Sequence, residues 1–205
     1  MLEICVQRLA PGSVAEVEKR FGEALATSEG SGELVGFWHT EVGDVNDVVH
    51  VWRHRAESWG AGPLPVRPLR SEAASESIRE LVQTTTREWI EPFAFVPELP
   101  PGKHGPIYEL RCYVLKPGTL ADQAAGWEKM LPKRLESGPV VFGGGVRVGR
   151  TQAFYQLWAY TSFEERLRIR AETRKEGVWP PPGGPGRAIT QENAILLPAA
   201  FSPLQ

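Results

Sequence analysis

The chain has 205 residues and a formal net charge of −2 at pH 7. A chain of this length buries enough apolar surface to fold without a partner, and its interspersed charges favour neither nucleic acid nor a lipid surface. No apolar run approaches the roughly 18 residues that cross a bilayer, and the opening MLEICVQRL resembles neither a signal peptide nor an organelle presequence. The sequence therefore predicts a soluble, cytoplasmic protein with no nucleic-acid or membrane partner.

The two cysteines indicate a reducing compartment. Cys5 and Cys112 each lie within an apolar, strand-like run, and two such residues do not make a disulfide framework. We expect both side chains to pack in the core. The sequence favours Arg, Ala, Gly and Pro over Lys, Asn and Ile, which is typical of a GC-rich bacterial gene, so we expect a role in bacterial metabolism.

The first half of the chain predicts six elements. They are a strand at 2–9, a helix in SVAEVEKRFGEALATSEG behind the N-cap candidate Ser13, strands at 33–42 and 47–54, a helix in SEAASESIRELVQT and a strand in EWIEPFAFV. Pro-Gly ends the first strand. The order is β-α-β-β-α-β.

The second half predicts the same order. Its elements are a strand at 107–115, a helix opened by Thr119, strands at 139–148 and 152–160, a helix in SFEERLRIRAETRK and a strand in ENAILLPA. An ungapped offset of 106 (109 − 3) relates the halves over about fifty residues. Identical residues coincide under this offset: Glu3 and Glu109, Pro11-Gly12 and Pro117-Gly118, Trp52 and Trp158.

The chain is therefore interpreted as a tandem duplication. We predict a first repeat at 1–96, a Pro/Gly-rich linker at 97–106 and a second repeat with a C-terminal FSPL tail at 107–205. The element order is that of the ferredoxin-like unit, an α+β fold with an antiparallel sheet and both helices on one face. Two such sheets can face each other, within one chain or across a homodimer, and close a barrel around a cavity.

Three motifs resemble signatures of the NipSnap family. They are the hairpin LVGFWHTEVGDVNDVVHVW, the strand IYELRCYVLKPGTL with its Lys-Pro-Gly stop, and the tail QENAILLPAAFSPL. The resemblance covers both repeats and implies the fold of the dimeric α/β barrels, a superfamily that includes cofactor-free oxygenases, haem-handling enzymes and isomerases. Animal members are associated with mitochondria and with adaptor binding, which implies binding rather than catalysis for those relatives.

The chain departs from the family pattern where each second helix should begin. GAGPLPVRPL at 60–69 and GVWPPPGGPG at 177–186 replace a helical region of the relatives. Proline at this density does not sustain a helix. We expect both segments to be loops, either as a place where function diverges or as surface filler.

The hairpin of the first repeat carries the candidate catalytic residues His39, Glu41 and His50. Strand alternation places Phe37, His39 and Glu41 on one face. A turn at 43–46 in even register sets His39 opposite His50 and adds Trp52 to the same patch. We predict that this patch faces the barrel interior, with Phe37 and Trp52 as substrate-binding residues, and that the opposite face, with Trp38, packs under the helices.

Four polar residues of the second repeat are also expected to face the barrel interior, because they lie at alternating strand positions: Glu109, Arg111, Tyr113 and Gln156. There they either bind substrate or form an interior ion-pair network. Gln156 replaces His50 under the repeat offset. FGGGVRVG at 142–149 sits on a strand and is no dinucleotide loop. Its glycines either open space for a ligand beside Arg147, a further substrate-binding candidate, or form a bulge.

Three functions remain open from these residues. The first is a cofactor-free oxygenase, isomerase or cyclase acting on an apolar or aromatic small molecule, in which histidine beside a carboxylate removes a proton and Arg111 or Arg147 holds the enolate. The second is a non-enzymatic binding or scaffold protein. The third is an iron or zinc site of two histidines and one carboxylate. We expect no metal and no cofactor, because the ligand spacing is only permissive.

Overall fold

The computed structural model describes residues 1–55 and 68–205. The first repeat contains, in order, β1 (Leu2–Leu9), α1 (Val14–Thr27), β2 (Glu33–Val42), β3 (Asp47–Arg53), α2 (Arg70–Glu76), a 3-10 turn (Arg79–Leu81) and β4 (Val82–Pro92). The second contains β5 (Ile107–Leu115), α3 (Leu120–Leu135), β6 (Val140–Val148), β7 (Ala153–Tyr160), α4 (Phe163–Lys175), α5 (Gly184–Arg187) and β8 (Ala188–Pro198). The predicted β-α-β-β-α-β order is confirmed in both halves.

Local hydrogen bonds and a glycine define the two ends of α4. The Ser162 hydroxyl accepts a hydrogen bond from the backbone N–H of Glu165, and the Glu165 carboxylate accepts one from the N–H of Thr161, which together fix the start of α4. Gly177, with φ of 68°, follows the end of the same helix. No helix in residues 1–55 and 68–205 combines the length and the apolar character needed to cross a membrane.

The structure differs from the prediction at the second helix and last strand of the first repeat. The predicted helix at 71–84 ends at Glu76, and β4 already begins at Val82 rather than within EWIEPFAFV. The residues that were predicted to end the helix include Val82 and Thr84, and Thr85 and Thr86 follow directly; the β-branched side chains of all four favour a strand. Thr84, Thr85 and Thr86 pair with β1.

The structure describes the second Pro-rich segment in full and the first only in part. Residues 60–67 of the first segment lie outside the described residues. The second forms an irregular chain from Gly177 and then one helical turn, α5. Proline is tolerated in this turn because the first helical residues have no N–H acceptor within the helix.

The eight strands close into one barrel in the order β1-β3-β2-β8-β5-β7-β6-β4. Each repeat contributes an antiparallel sheet of four strands, and the two sheets join at β2–β8 and β4–β6. The expected barrel therefore forms within a single chain. We call these two junctions the seams of the barrel.

An apolar core fills much of the barrel interior. Side chains from both repeats meet there: Leu2, Ile4, Val35, Trp38, Val49, Val51, Ile90, Tyr108, Leu110, Val141, Phe142, Leu157 and Leu196. The Trp38 and Tyr108 rings lie 5.3 Å apart between centroids. Leu204 of the C-terminal tail joins this core. An eight-stranded barrel is just wide enough for side chains to fill.

The predicted assignment of the strand faces is wrong in both repeats. Trp38 lies in the barrel interior, whereas Phe37 and Trp52 pack on the outer face of the sheet against Phe21 of α1. The polar residues that were expected in the interior also lie on the helix-facing side: His50, Glu109, Arg111, Tyr113 and Gln156. Glu3 and Gln7 of β1 lie on the same side. The narrow interior selects apolar side chains, while charged residues on the helices provide partners for the polar face.

The hairpin register also differs from the prediction. His39 pairs with Val48, and His50 pairs with Phe37. The last residues of β2, from Thr40 to Val42, pair with β8 instead of extending the hairpin. The register therefore slips by two residues, which keeps each side chain on its face but removes the expected His39–His50 pair.

His50 is a buried acceptor for a tryptophan. Its Nδ1 accepts a hydrogen bond from Trp52 Nε1 at 2.7 Å, which leaves Nε2–H to donate to Gln7 Oε1 at 3.2 Å. The second repeat has the same arrangement, with Trp158 Nε1 donating to Gln156 Oε1 at 2.8 Å. Burial lowers the pKa of His50 to about 3, so the ring stays neutral near pH 7.

We predict that His50→Gln reduces the acid sensitivity of the fold. Between pH 6.5 and 3 the unfolded chain binds a proton at His50 and the native chain does not, so stability falls as pH falls through this range. From pH 7.5 to 5 this loss is about 2 kcal/mol in the free energy of unfolding. Urea unfolding at both pH values should show the variant losing that much less than the parent. Equal losses in the two proteins would contradict the assignment.

Candidate ligand-binding cleft

A cleft of about 260 Å³ lies on the outer face of the second sheet, between α3 and α4. The side chains of Gln123, Trp127 and Arg134 enter it from α3, because positions four and seven apart share one helix face. The sheet and the segment after α4 complete the wall: Arg111, Tyr113, Gln156, Trp158, Tyr160, Arg170, Arg174 and Trp179. The cleft thus combines aromatic and cationic groups.

Three indoles form the aromatic wall. The centroids of Trp127 and Trp179 lie 4.8 Å apart, those of Trp158 and Trp179 5.3 Å apart, and those of Trp127 and Trp158 5.5 Å apart. The carbonyl of Thr173 accepts hydrogen bonds from the N–H groups of Val178 and Trp179, which hold the third indole against α4. Such mutually inclined rings present both faces and edges to a ligand.

The glycines of β6 make room for the helix rather than for a ligand. A Cβ on Gly143 would lie 2.6 Å from Trp127, and one on Gly145 would lie 2.6 Å from Leu120. Arg147 is exposed and pairs with Glu91 at 2.9 Å. The expected ligand space beside Arg147 is therefore occupied: α3 side chains lie against Gly143 and Gly145, and β4 lies against Gly144, where a Cβ would collide with the Glu91 carbonyl oxygen.

One buried carboxylate organises several of the arginines. Glu109 is fully buried, and its Oε1 lies 2.8 Å from Arg111, 2.5 Å from Arg166 and 3.6 Å from Arg170. Burial would raise the pKa of Glu109, but hydrogen bonding from Arg166 and the charge of Arg111 outweigh burial and lower it. Glu109 stays ionised and sits behind the cleft.

Two further arginines add positive charge at the wall. The guanidinium of Arg134 lies 4.3 Å from the Trp158 ring centroid, and burial lowers its pKa. Arg174 lies near the end of α4 without an ion-pair partner in residues 1–55 and 68–205. The arginines around Glu109 and at this wall therefore outnumber the carboxylate that faces them.

A smaller annex of about 150 Å³ continues the cleft. It shares Arg111, Tyr113 and Arg170 with the cleft and adds Arg166. Glu192 also lines the annex, but it pairs with Arg150 at 3.0 Å. The cleft thus has an aromatic part and a cationic end.

The equivalent space in the first repeat is filled by aromatic side chains. Phe21 and Phe37 lie 4.7 Å apart between centroids, and Phe201 of the C-terminal tail lies 5.1 Å from Phe37. The backbone N–H of Phe37 donates to the Ser202 hydroxyl at 3.0 Å and anchors the tail. The first repeat therefore has a packed core where the second has a cleft.

The candidate catalytic residues of the first repeat do not form a common site. His39 bonds Glu18 of α1 at 2.7 Å, Glu41 is exposed, and His50 is sealed under α1. Phe37 and Trp52 belong to the packed core. Within the part of the chain that the structure describes, no three His, Cys, Asp or Glu side chains are arranged to hold a metal ion.

Most of the substrate-binding residues predicted in the second repeat do lie at or beside the cleft. Arg111, Tyr113 and Gln156 line the cleft, and Glu109 lies behind it. The sequence prediction missed the indoles and the arginines that the helices contribute. The spacing of Arg166, Arg170 and Arg174, four residues apart, was an available signal, because it places three cations along one face of α4.

Comparison with known proteins agrees with the repeat. The NIPSNAP family model matches residues 2–97 and 108–203. Protein NipSnap homolog 1 of Danio rerio is 30% identical over 180 residues, which cover 84% of this chain and 64% of that protein. Protein NipSnap homolog 2 of Homo sapiens is 28% identical over 178 residues, covering 84% and 62%. The chain spans less than two thirds of the length of these relatives.

Solved structures share the fold at low sequence identity. A proposed monooxygenase from Fusobacterium nucleatum has a TM-score of 0.69 at 8% identity, covering 97% of this chain and 91% of its own. An anthrone oxidase-like protein has a TM-score of 0.61 at 9% identity, covering 96% and 90%. At such low sequence identity, these similarities show the fold alone.

The family model matches both repeats across nearly the whole sequence, and the chain therefore belongs to the NIPSNAP family.

Proposed function

We propose that the chain binds a small, planar aromatic anion in the cleft of the second repeat. The observation that supports this is the combination of three packed indoles with an excess of guanidinium groups over carboxylates. Indole faces and edges attract flat rings, and guanidinium groups bind carboxylates or phenolates through charge-assisted hydrogen bonds. A neutral or cationic aromatic ring would pack against the indoles but would not pair with the guanidinium groups.

The dimensions of the cleft favour a ligand of one or two rings. Its volume of about 260 Å³ is below the roughly 300–1,000 Å³ typical of pockets for drug-sized molecules. The aromatic part has room for the ring system, and the annex has room for the anionic group beside Arg111, Arg166 and Arg170. This division gives the ligand a defined orientation.

The cofactor-free enzyme is a second candidate, favoured by the same arginines. Positive charge stabilises an enolate, so a bound ketone with an activated CH₂ group loses a proton more readily. The enolate carbon adds O₂, protonation gives a hydroperoxide, and loss of water leaves a new carbonyl group. No histidine among the described residues lines the cleft, so this candidate assigns the proton to solvent rather than to His39 or His50.

We predict that 2-naphthoate binds the cleft and that Arg170→Gln weakens its binding about tenfold. A hydrogen bond to a charged group contributes roughly 1.5–3 kcal/mol, and 1.4 kcal/mol is a factor of ten. Tryptophan fluorescence and calorimetry measure the affinity. The matched control is Arg168→Gln on the same helix, where Arg168 is exposed and pairs with Glu172. Equal binding of 2-naphthylmethanol and 2-naphthoate, or equal loss in the two variants, would contradict the proposal.

The oxygenase candidate predicts O₂ uptake with an enolisable two-ring ketone. With 2-tetralone in air-saturated buffer, the protein should raise the rate of O₂ consumption at least tenfold above the buffer rate. Arg170→Gln should lower this rate and Arg168→Gln should not. An oxygen electrode measures the uptake. A rate equal to that of buffer would remove this candidate and leave the binding proposal in place.

A further inference from the structure

A second cavity, of about 600 Å³, lies at one end of the barrel interior. Its wall carries Val6 and Val49 from the first repeat and Leu110, Cys112 and Ala194 from the second. The cavity lies on the inner faces of the sheets, whereas the cleft lies on the outer face of one sheet. The two spaces are therefore separated by the sheet itself.

Both seams are open beside this cavity. The β4–β6 seam pairs β4 only from Trp89 to Pro92, and the β2–β8 seam pairs β8 only from Ile195 to Pro198. Within the described residues, the earlier part of β4 pairs with β1 alone and the earlier part of β8 pairs with β5 alone. Thr84, Thr86 and Ala194 from these parts line the cavity. The two seams are thus unpaired at this end of the barrel, next to the cavity.

The charged groups at the opening are paired with one another. Arg8 lies 2.7 Å from Asp44 and 2.8 Å from Asp47. Arg150 bonds Glu192 at 3.0 Å. The opening therefore has three carboxylates for two guanidinium groups, and this negative balance opposes an anionic ligand, in contrast to the cleft. The deeper wall is apolar, with Val49 and Leu110.

The wall of the cavity also carries a hydrogen-bonded pair, Tyr155 and Glu88. The Tyr155 hydroxyl donates to Glu88 Oε2 at 2.5 Å, and the backbone N–H of Arg150 donates to the other oxygen of the same carboxylate. Glu88 is buried and fully engaged. A ligand therefore meets hydroxyl and thiol groups on this wall rather than a free carboxylate.

Two buried polar atoms in the barrel interior lack a partner. The indole Nε1 of Trp38 and the hydroxyl of Tyr108 have no hydrogen bond within the described part of the chain, although both residues are fully buried. Unsatisfied buried donors cost roughly 1–3 kcal/mol each. Neither residue lines the cavity, so the groups of its wall that can hydrogen-bond a ligand include Thr84, Thr86 and Cys112 instead.

We propose that the barrel cavity is a second binding site, which takes an uncharged small molecule with an apolar body and a hydroxyl or carbonyl group. The apolar wall receives the body, the negative balance of the opening repels anions, and the threonine and cysteine side chains receive the hydrogen-bonding end. A cation is disfavoured because an ammonium group loses its hydration against an apolar wall. This site does not depend on the cleft, so either one can exist without the other.

Cys112 provides a natural reporter for this site. It lines the cavity, whereas Cys5 is fully buried on the helix-facing side, and the sequence has no other cysteine. Methyl methanethiosulfonate is a small neutral reagent: the thiolate attacks its sulfur, methanesulfinate leaves, and a methyl disulfide forms. Burial raises the pKa of Cys112 to about 11, so the reaction is followed at pH 9 by mass spectrometry of the intact protein and its peptides.

The test compares three probes of matched shape: cyclohexylmethanol, cyclohexanecarboxylate and cyclohexylmethylamine. We expect the reagent to modify Cys112, and the alcohol at millimolar concentration to slow this at least fivefold. The acid should leave the rate unchanged, and the amine should protect less than the alcohol, because its ammonium group loses its hydration against the apolar wall. Thr86→Phe fills the cavity and should abolish protection. Thr85→Phe is the matched control, because Thr85 lies on the opposite face of β4 near Gln7.

Several results would overturn the proposal. Protection by the acid or the amine equal to that by the alcohol would show that the cavity does not select an uncharged ligand. Absence of protection by any probe would show that the cavity does not bind them. An unreactive Cys112 in the folded protein would show that the seams do not admit a ligand. Equal effects of Thr86→Phe and Thr85→Phe would place the alcohol elsewhere.

Discussion

The width of a closed eight-stranded barrel is the constraint on which the other features depend. Both sheets turn a face inward, and the interior holds mainly apolar side chains such as Trp38 and Tyr108. Most buried polar residues therefore lie on the other face, under the helices, where charged helix residues can pair with them. Glu88, bonded to Tyr155 at the open end of the barrel, is an exception. Glu3 and Glu109 occupy equivalent positions and follow this rule. The helix-facing layers, rather than the barrel core, thus carry most of the buried polar chemistry.

The two repeats use this layer differently. In the first, Glu3 is matched by Ser71, His54 and a single arginine, Arg87. Aromatic rings fill the remaining space. In the second, Glu109 meets several arginines, and indoles surround a cleft. One scaffold thus provides a packed repeat that supports the barrel and an open repeat with surplus positive charge. A duplicated chain can make this division because each helix layer covers its own sheet.

The sequence predicts the repeat, the order of elements and the barrel, because strand alternation, helix spacing and Pro-Gly stops are local signals. It does not predict which strand face turns inward, since both faces of β5 are buried and only tertiary packing distinguishes them. The position of His50 under α1 follows from that choice. The contribution of Trp179 also depends on how an irregular segment folds back onto α4. Arg111, Tyr113 and Gln156 were predicted to face the barrel interior, but they line the cleft on the outer face of the sheet.

The most direct test of the account uses the indole N–H signals of ¹⁵N-labelled protein, assigned by Trp→Phe substitution, during titration with 2-naphthoate. The ligand should shift the signals of Trp127, Trp158 and Trp179, which form the wall of the cleft. Trp38 in the barrel and Trp52 in the packed repeat should keep their positions. Shifts of Trp38 or Trp52 with unchanged signals from the cleft would contradict the assignment of anion binding to the second repeat.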